Sequence, residues 1–216
     1  MKLNILYEDN HVIVAYKEAG VLSQADNTQD TDMLTLVKDY LKKTYSKEGN
    51  VYLGLLHRLD RMTSGVMVFA KTTKAAQRLS KDICNHDFQK EYLAVVEGTF
   101  QNYEEVMLKD YLLKDEKLKK SFIDPNGKEA ILYFTPIKEK NNKTLIKVRL
   151  ITGRFHQIRA QLSNIGHPLY GDVKYGSKYK DDLALQAYKL TFNQPITKEK
   201  LTFSKINYEG IFKLFK

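Results

Sequence analysis

The chain has 216 residues, 43% hydrophobic and 11% aromatic, which is enough to bury a core and too apolar for a disordered segment. Its 35 Lys and Arg against 26 Asp and Glu give a formal charge of +9, which favours polyanionic partners because each neutralised phosphate releases counterions. Cys84 is the single cysteine, so no intramolecular disulfide forms; no apolar run approaches the ~20 residues of a membrane span, the first residues lack the apolar segment of a secretory signal, and a cytoplasmic address is expected.

Only four prolines occur, and neither a linker nor an internal repeat interrupts the chain, so one domain over residues 1–216 is expected. Val12, Val14 and Tyr16 alternate as in a half-buried strand after an Asp9-Asn10 turn. Leu34, Val37 and Leu41 follow a helical period, with Thr31 or Asp32 as N-cap. Gly65 to Ala70 reads as a buried strand. Lys74 to Ile83 reads as a helix entered through Thr72-Thr73, which puts Cys84 on a helix as a small core residue. Tyr92 to Val96 is a strand closed by Gly98. Between Glu104 and Phe134 the pattern decides little beyond an extended Ile131–Phe134, and the lysines around 109–120 and 138–143 fit exposed loops or hairpin edges. Lys143 to Leu150 is an alternating strand. After Thr152-Gly153 a helix follows, its apolar face Phe155, Ile158, Leu162 and Ile165, closed by Gly166 and Pro168. Strands around Tyr188–Phe192 and Leu201–Ser204 complete an α+β chain with a mainly antiparallel mixed β-sheet flanked by helices. Neither a βαβ series nor a Gly-rich nucleotide loop is present, which excludes a dinucleotide fold.

Two polar blocks do not suit a purely structural role. His57-Arg58-Leu59-Asp60-Arg61-Met62-Thr63-Ser64-Gly65 lies between two apolar runs, where unpaired polar groups are costly. Its plain alternative is a connecting loop in which Asp60 pairs with Arg58 or Arg61. Gly153-Arg154-Phe155-His156-Gln157-Ile158-Arg159 continues to Gly166-His167-Pro168 and Gly171-Asp172. On a helix, His156 and Arg159 would share one face and present a basic edge; a solvated basic side of an amphipathic helix is the plain alternative.

Together the blocks resemble the RluA-type RNA pseudouridine synthase family. The resemblance runs in order through Leu6-Tyr7-Glu8-Asp9, Lys17 to Gly20, His57-Arg58-Leu59-Asp60 with Thr63-Ser64-Gly65, Ala70-Lys71, Lys90-Glu91-Tyr92, Gly98, the Gly153–Arg159 block, Gly171-Asp172, Tyr175-Gly176 and Leu185 to Phe192. Such an ordered set is far more specific than one short motif. Glu18, Met62 and Gln186 depart from the family pattern, and no room precedes Asn4 for the small S4-like RNA-binding domain that many relatives carry.

The resemblance implies a pseudouridine synthase fold and an isomerase acting on a chosen uridine in ribosomal or transfer RNA. No metal or cofactor is needed, no membrane is involved, and a monomer is expected. By resemblance Asp60 is the catalytic carboxylate, acting as nucleophile or as base. Arg159 pairs with it, with Arg154 as the rival for that role. Tyr92 stacks on the uracil or moves its C5 proton. Arg58 enters the RNA stack where the uridine leaves, and His57, Thr63 and Ser64 shape the loop and contact RNA, with His156 and Gln157 joining the RNA-binding set. The histidines and Cys84 lack metal-ligand spacing. The competing readings are an inactive RNA-binding protein of the same fold and a hydrolase that frees uracil, although no second carboxylate in the blocks suits the latter.

Overall fold

The turn between the first two strands shows how local chemistry starts the fold. In a computed structural model, which describes residues 3–28 and 30–216, the Asp9 carboxylate accepts from the backbone N–H of His11 at 2.6 Å and of Val12 at 2.7 Å. That side chain mimics a backbone turn and sets β1 (Asn4–Glu8) antiparallel to β2 (Val12–Lys17).

The chain divides into two compact units, the described part of Met1–Gln89 with Ala187–Lys205, and Lys90–Gln186 with Ile206–Lys216. In the first, β2 pairs antiparallel with β4 (Ser64–Ala70), and a short β3 (Gly54–Leu55) also pairs β4. Beyond β4 lies β10 (Leu185–Asn193), which β11 (Lys200–Ser204) joins antiparallel along Lys189–Asn193. Two helices complete it: α1 (Met33–Thr44), capped by Asp32 on Thr35 N–H, and α2 (Thr73–Cys84), capped by Thr72 on Ala75 N–H.

Two expectations change here. All six residues of β2 are buried, not only the alternate ones. The strand is flanked by β1 and β4, and Val12, Val14 and Tyr16 join Val66, Val68, Leu79, Phe88, Leu190 and Phe192 in one core cluster while Ile13 and Ala15 are buried on the other face. Cys84 is exposed. The inward positions of α2 are Ala75, Leu79 and Asp82, and nine residues beyond Ala75 the helix has turned through half a revolution at ~100° per residue.

In the second unit β5 (Gln89–Glu97), β9 (Lys143–Leu150), β8 (Lys128–Lys140), β6 (Val106–Asp115) and β7 (Lys120–Ile123) form consecutive antiparallel ladders. Both lysine-rich stretches lie in hairpins. β8 turns into β9 through Asn141 and Asn142, each at φ 54°, the left-handed pair that a two-residue hairpin turn demands. A core cluster of Leu112, Ala130, Ala160 and Tyr175 sits under this sheet.

The expected helix after Thr152 is shorter than its apolar spacing suggests. α3 spans Gln157–Asn164, so Phe155 and Ile165 lie outside it. Its start is set by His156, whose φ of 52° is left-handed. The inward face adds Gln157, Ala160 and Gln161 to Ile158 and Leu162. Gln161 is tolerated there because its Nε2 donates to Asp110 Oδ2 at 2.7 Å and to the Ala130 carbonyl at 3.2 Å. Short 3-10 helices cover Val173–Tyr175 and Gly210–Phe215.

Candidate active site

Asp60 lies in the irregular segment between β3 and β4, and the residues on either side of it are fastened. Leu59 donates its N–H to Ser23 Oγ at 2.9 Å, and the same hydroxyl donates to the Leu59 carbonyl at 2.8 Å. The Arg61 carbonyl accepts from Lys17 Nζ at 2.9 Å and from Gly20 N–H at 2.9 Å. Thr63 N–H closes a turn onto the Asp60 carbonyl at 3.0 Å. Arg61 directs its guanidinium to the Gly20 carbonyl and to Asp30, at 2.8 Å on the exposed side. The half-buried Asp60 side chain therefore rests on a backbone held at both flanks.

Lys17 is fully buried, with Nζ donating to the carbonyls of Glu18, Val21 and Arg61. Burial brings its pKa down to about 8, opposed by the negative charges of Asp60 and Glu18. The carboxylate of Asp60 and the ammonium of Lys17 thus act on one another.

The other residues of this block divide by exposure. Arg58 is exposed. His57 turns inward: its Nε2 accepts from Val68 N–H at 3.2 Å, and its ring meets Phe88 edge-on at 5.4 Å. Thr63 is buried, and its hydroxyl has no hydrogen-bond partner among the described residues. Ser64 opens β4, half-buried. Gly65, at φ 148°, admits no side chain because a Cβ would stand 2.4 Å from the Ala187 carbonyl oxygen.

In the second unit Tyr92 is buried on β5, opposite Val148 of β9. Arg159 makes a two-point ion pair with Asp172, Nε to Oδ2 and Nη2 to Oδ1, both at 2.7 Å. Its Nη1 donates to His156 Nε2 at 2.9 Å. Nδ1 of the same imidazole lies 3.1 Å from the Tyr175 hydroxyl, which accepts Ser121 N–H at 2.8 Å. Phe155 stacks on His156 with centroids 3.9 Å apart, and its carbonyl accepts from Ser121 Oγ at 2.6 Å. Gln157 Oε1 accepts from Arg154 N–H and the Thr152 hydroxyl, so it holds the turn before α3. Arg154 sends Nε to the Glu129 carbonyl and is exposed.

Burial and the cations Arg159, Lys174 and Lys114 push the His156 pKa down from 6.5 to about 3. Above pH ~6.5 the ring is neutral whether the chain is folded or not; below it the unfolded chain takes up a proton that the folded one refuses. This contribution is therefore full above the ordinary value and is lost as pH falls from ~6.5 towards about 3. In chemical denaturation across that window, His156→Gln should lose less stability than the wild type; parallel losses would assign the acid sensitivity elsewhere.

Among the described residues, no three His, Cys, Asp or Glu side chains gather as a metal site, and no helix is long and apolar enough to cross a membrane. Residues 11–164, which hold both polar blocks, match the family model described as RNA pseudouridylate synthase. The chain belongs to that family. It is 32% identical over 209 residues to the ribosomal large subunit pseudouridine synthase C of Buchnera aphidicola subsp. Baizongia pistaciae, a match covering 91% of this chain and 64% of that protein. It is 33% identical over 210 residues to the dual-specificity RNA pseudouridine synthase RluA of Haemophilus influenzae, covering 94% and 92%. The chain therefore spans slightly less than two thirds of the first relative and nearly all of the second. The solved structure of human RNA pseudouridylate synthase domain containing 4 superposes with a TM-score of 0.80 at 20% identity, over 98% of this chain and 92% of that one, which establishes the pseudouridine synthase fold.

In this family member several well-placed residues carry no role that their motifs announce. Lys17, Asp172 and Tyr175 stood in recognised motifs, but their spacing carries no sign that they bond Arg61, Arg159 and His156 respectively. Ser23 lay in no motif; its only signal is a small hydroxyl in a run that follows the buried β2.

Proposed function

We propose that the chain is an RNA pseudouridine synthase, working as one catalytic domain on a uridine in structured ribosomal or transfer RNA. Asp60 is the reacting carboxylate. The observation that carries this reading is the double fastening of its loop, with Ser23 on Leu59 and with Lys17 and Gly20 on Arg61. A reacting group gains most when its position is fixed before substrate arrives. A plain surface loop has no need of a buried lysine and a buried hydroxyl spent on its backbone. Tyr92 and Arg159 serve the same uridine, the first as an aromatic face and the second as a cation. Arg58, being exposed, is free to enter the RNA stack, and the remaining residues of both blocks support the loop or bind RNA.

The reaction is an isomerisation. The N1–C1′ bond breaks, the uracil turns, C5 bonds to C1′, and the C5 proton is lost while N1 regains one. Asp60 begins this by attacking C1′ or by taking a sugar proton; either route needs an ionised carboxylate. The names of similar proteins, one for the large ribosomal subunit and one for dual specificity, support the substrate class.

The test is incubation with RNA carrying tritium at C5 of uridine. Tritium release, with no free uracil and no change in nucleotide mass, is the expected result. Free uracil would mark a hydrolase, and binding without release an inactive relative; either outcome overturns the proposal. Site-resolved pseudouridine mapping of cellular RNA with and without the gene then identifies the target.

A further inference from the structure

Lys17 and Lys90 both lose water on folding, and they are treated differently. Lys17 is compensated by three carbonyl oxygens. Lys90 is not. Burial pushes its pKa down, and no charge or hydrogen bond opposes that shift. Among the described residues it has neither an acceptor nor an ion-pair partner. Glu91, its neighbour on β5, leaves the strand on the opposite face, in register with Arg149.

The geometry around Lys90 is specific. It stands two residues before Tyr92 on β5, so the two side chains leave the strand on the same face. Its Nζ reaches the turn before α3, where a Cβ added to Gly153 would come within 3.3 Å of it. That turn holds a second donor in deficit. Gln157 is 3% exposed, and because its Oε1 is committed to Arg154 N–H and the Thr152 hydroxyl, its Nε2 is left buried without an acceptor among the described residues. A desolvated ammonium with nothing to bond is costly unless a ligand completes it. Unlike Lys17, Lys90 finds no carbonyl among the described residues, and the acceptor of opposite charge that RNA supplies is a backbone phosphate.

We propose that Lys90 seats a backbone phosphate of the RNA, on the face of β5 that carries Tyr92. This rests on the reading of RNA as the substrate. It adds a binding contact beyond the two polar blocks and fixes where the strand lies along β5.

The experiment is equilibrium binding of a uridine-containing RNA stem–loop across a potassium chloride series, for wild type, Lys90→Met and Lys90→Arg. Lys90→Met should weaken binding about tenfold at low salt and flatten the slope of log K against log salt by about 0.7–0.9; Lys90→Arg should keep the slope. Unchanged affinity and slope in Lys90→Met would leave the side chain a space-filler and end the proposal. Weaker affinity at an unchanged slope would mean contact with a base carbonyl and would end it too. If Lys90→Met does not fold, wild type with carbon-13 methylated lysines takes its place, the Lys90 signal being the one missing from Lys90→Arg. That signal should move on RNA addition, and a stationary one counts against the site. The tritium assay keeps the two readings apart: wild type without turnover removes the enzymatic reading, whereas turnover with an unaltered Lys90→Met slope removes only the phosphate seat.

Discussion

Asp60→Asn should give a folded protein that binds RNA and makes no detectable pseudouridine. The amide keeps the size and shape of the carboxylate, and the loop is also held through the backbone of Leu59 and Arg61. Its stability should therefore change by at most a few kcal/mol. An amide is neither a useful nucleophile nor a base, so both routes left open above collapse together, by at least about a thousandfold. Near-native affinity is expected because phosphates are gripped by other residues. The measurements are C5 tritium release, a thermal melt and a binding titration on one preparation. Substantial release by the folded variant would return Asp60 to an ordinary loop residue.

The second large effect is on Asp172. Its side chain is 1% exposed and accepts both arms of Arg159, itself 12% exposed. Asp172→Ala removes the carboxylate that takes both arms of a nearly buried guanidinium, a type of loss that costs about 3–5 kcal/mol. In a chain of this size that lowers Tm by roughly 6–20 °C. Arg159→Ala should be similarly destabilising and should also abolish turnover. Arg154→Ala removes an exposed side chain bonded to one carbonyl, and its melt should barely move. A larger turnover loss for Arg154→Ala than for Arg159→Ala would reverse their assignment; an unshifted melt for Asp172→Ala would mean that the ion pair is dispensable.

What the sequence made legible follows from the range of the interactions. The start of α1 was readable to within Thr31 or Asp32, and that of α2 to Thr72-Thr73, because a cap is satisfied within three residues of itself; the caps are Asp32 and Thr72. The lysine clusters were readable only as exposed loops or hairpin edges, of which the second holds, and the fold class followed from the spacing of strands and helices. β6 was not readable. It carries apolar residues on both faces, with Met107, Tyr111 and Leu113 exposed and Leu112 buried, so no alternation marks it. The start of α3 depends on the left-handed φ of His156, which no side-chain pattern reveals. Cys84 went wrong because a small apolar residue near a helix end gives no phase of its own. For the candidate residues, motif order located Asp60, Tyr92 and Arg159. The contacts that hold them did not follow from it: Ser23 lies 36 residues before Leu59, and Lys17 lies 44 before Arg61.

Gly65 fits against Ala187 so closely that no side chain is tolerated there. The strand that closes over β4 is therefore supplied by residues about 120 positions later in the chain. During synthesis at ~5–20 residues per second, the edge of Gly65 to Val68, which β3 leaves uncovered, waits roughly 6–25 s for its neighbour. In that interval β4 offers the ribosomal exit a short row of unpaired amides and carbonyls flanked by Val66, Met67 and Val68, the kind of edge that recruits other chains.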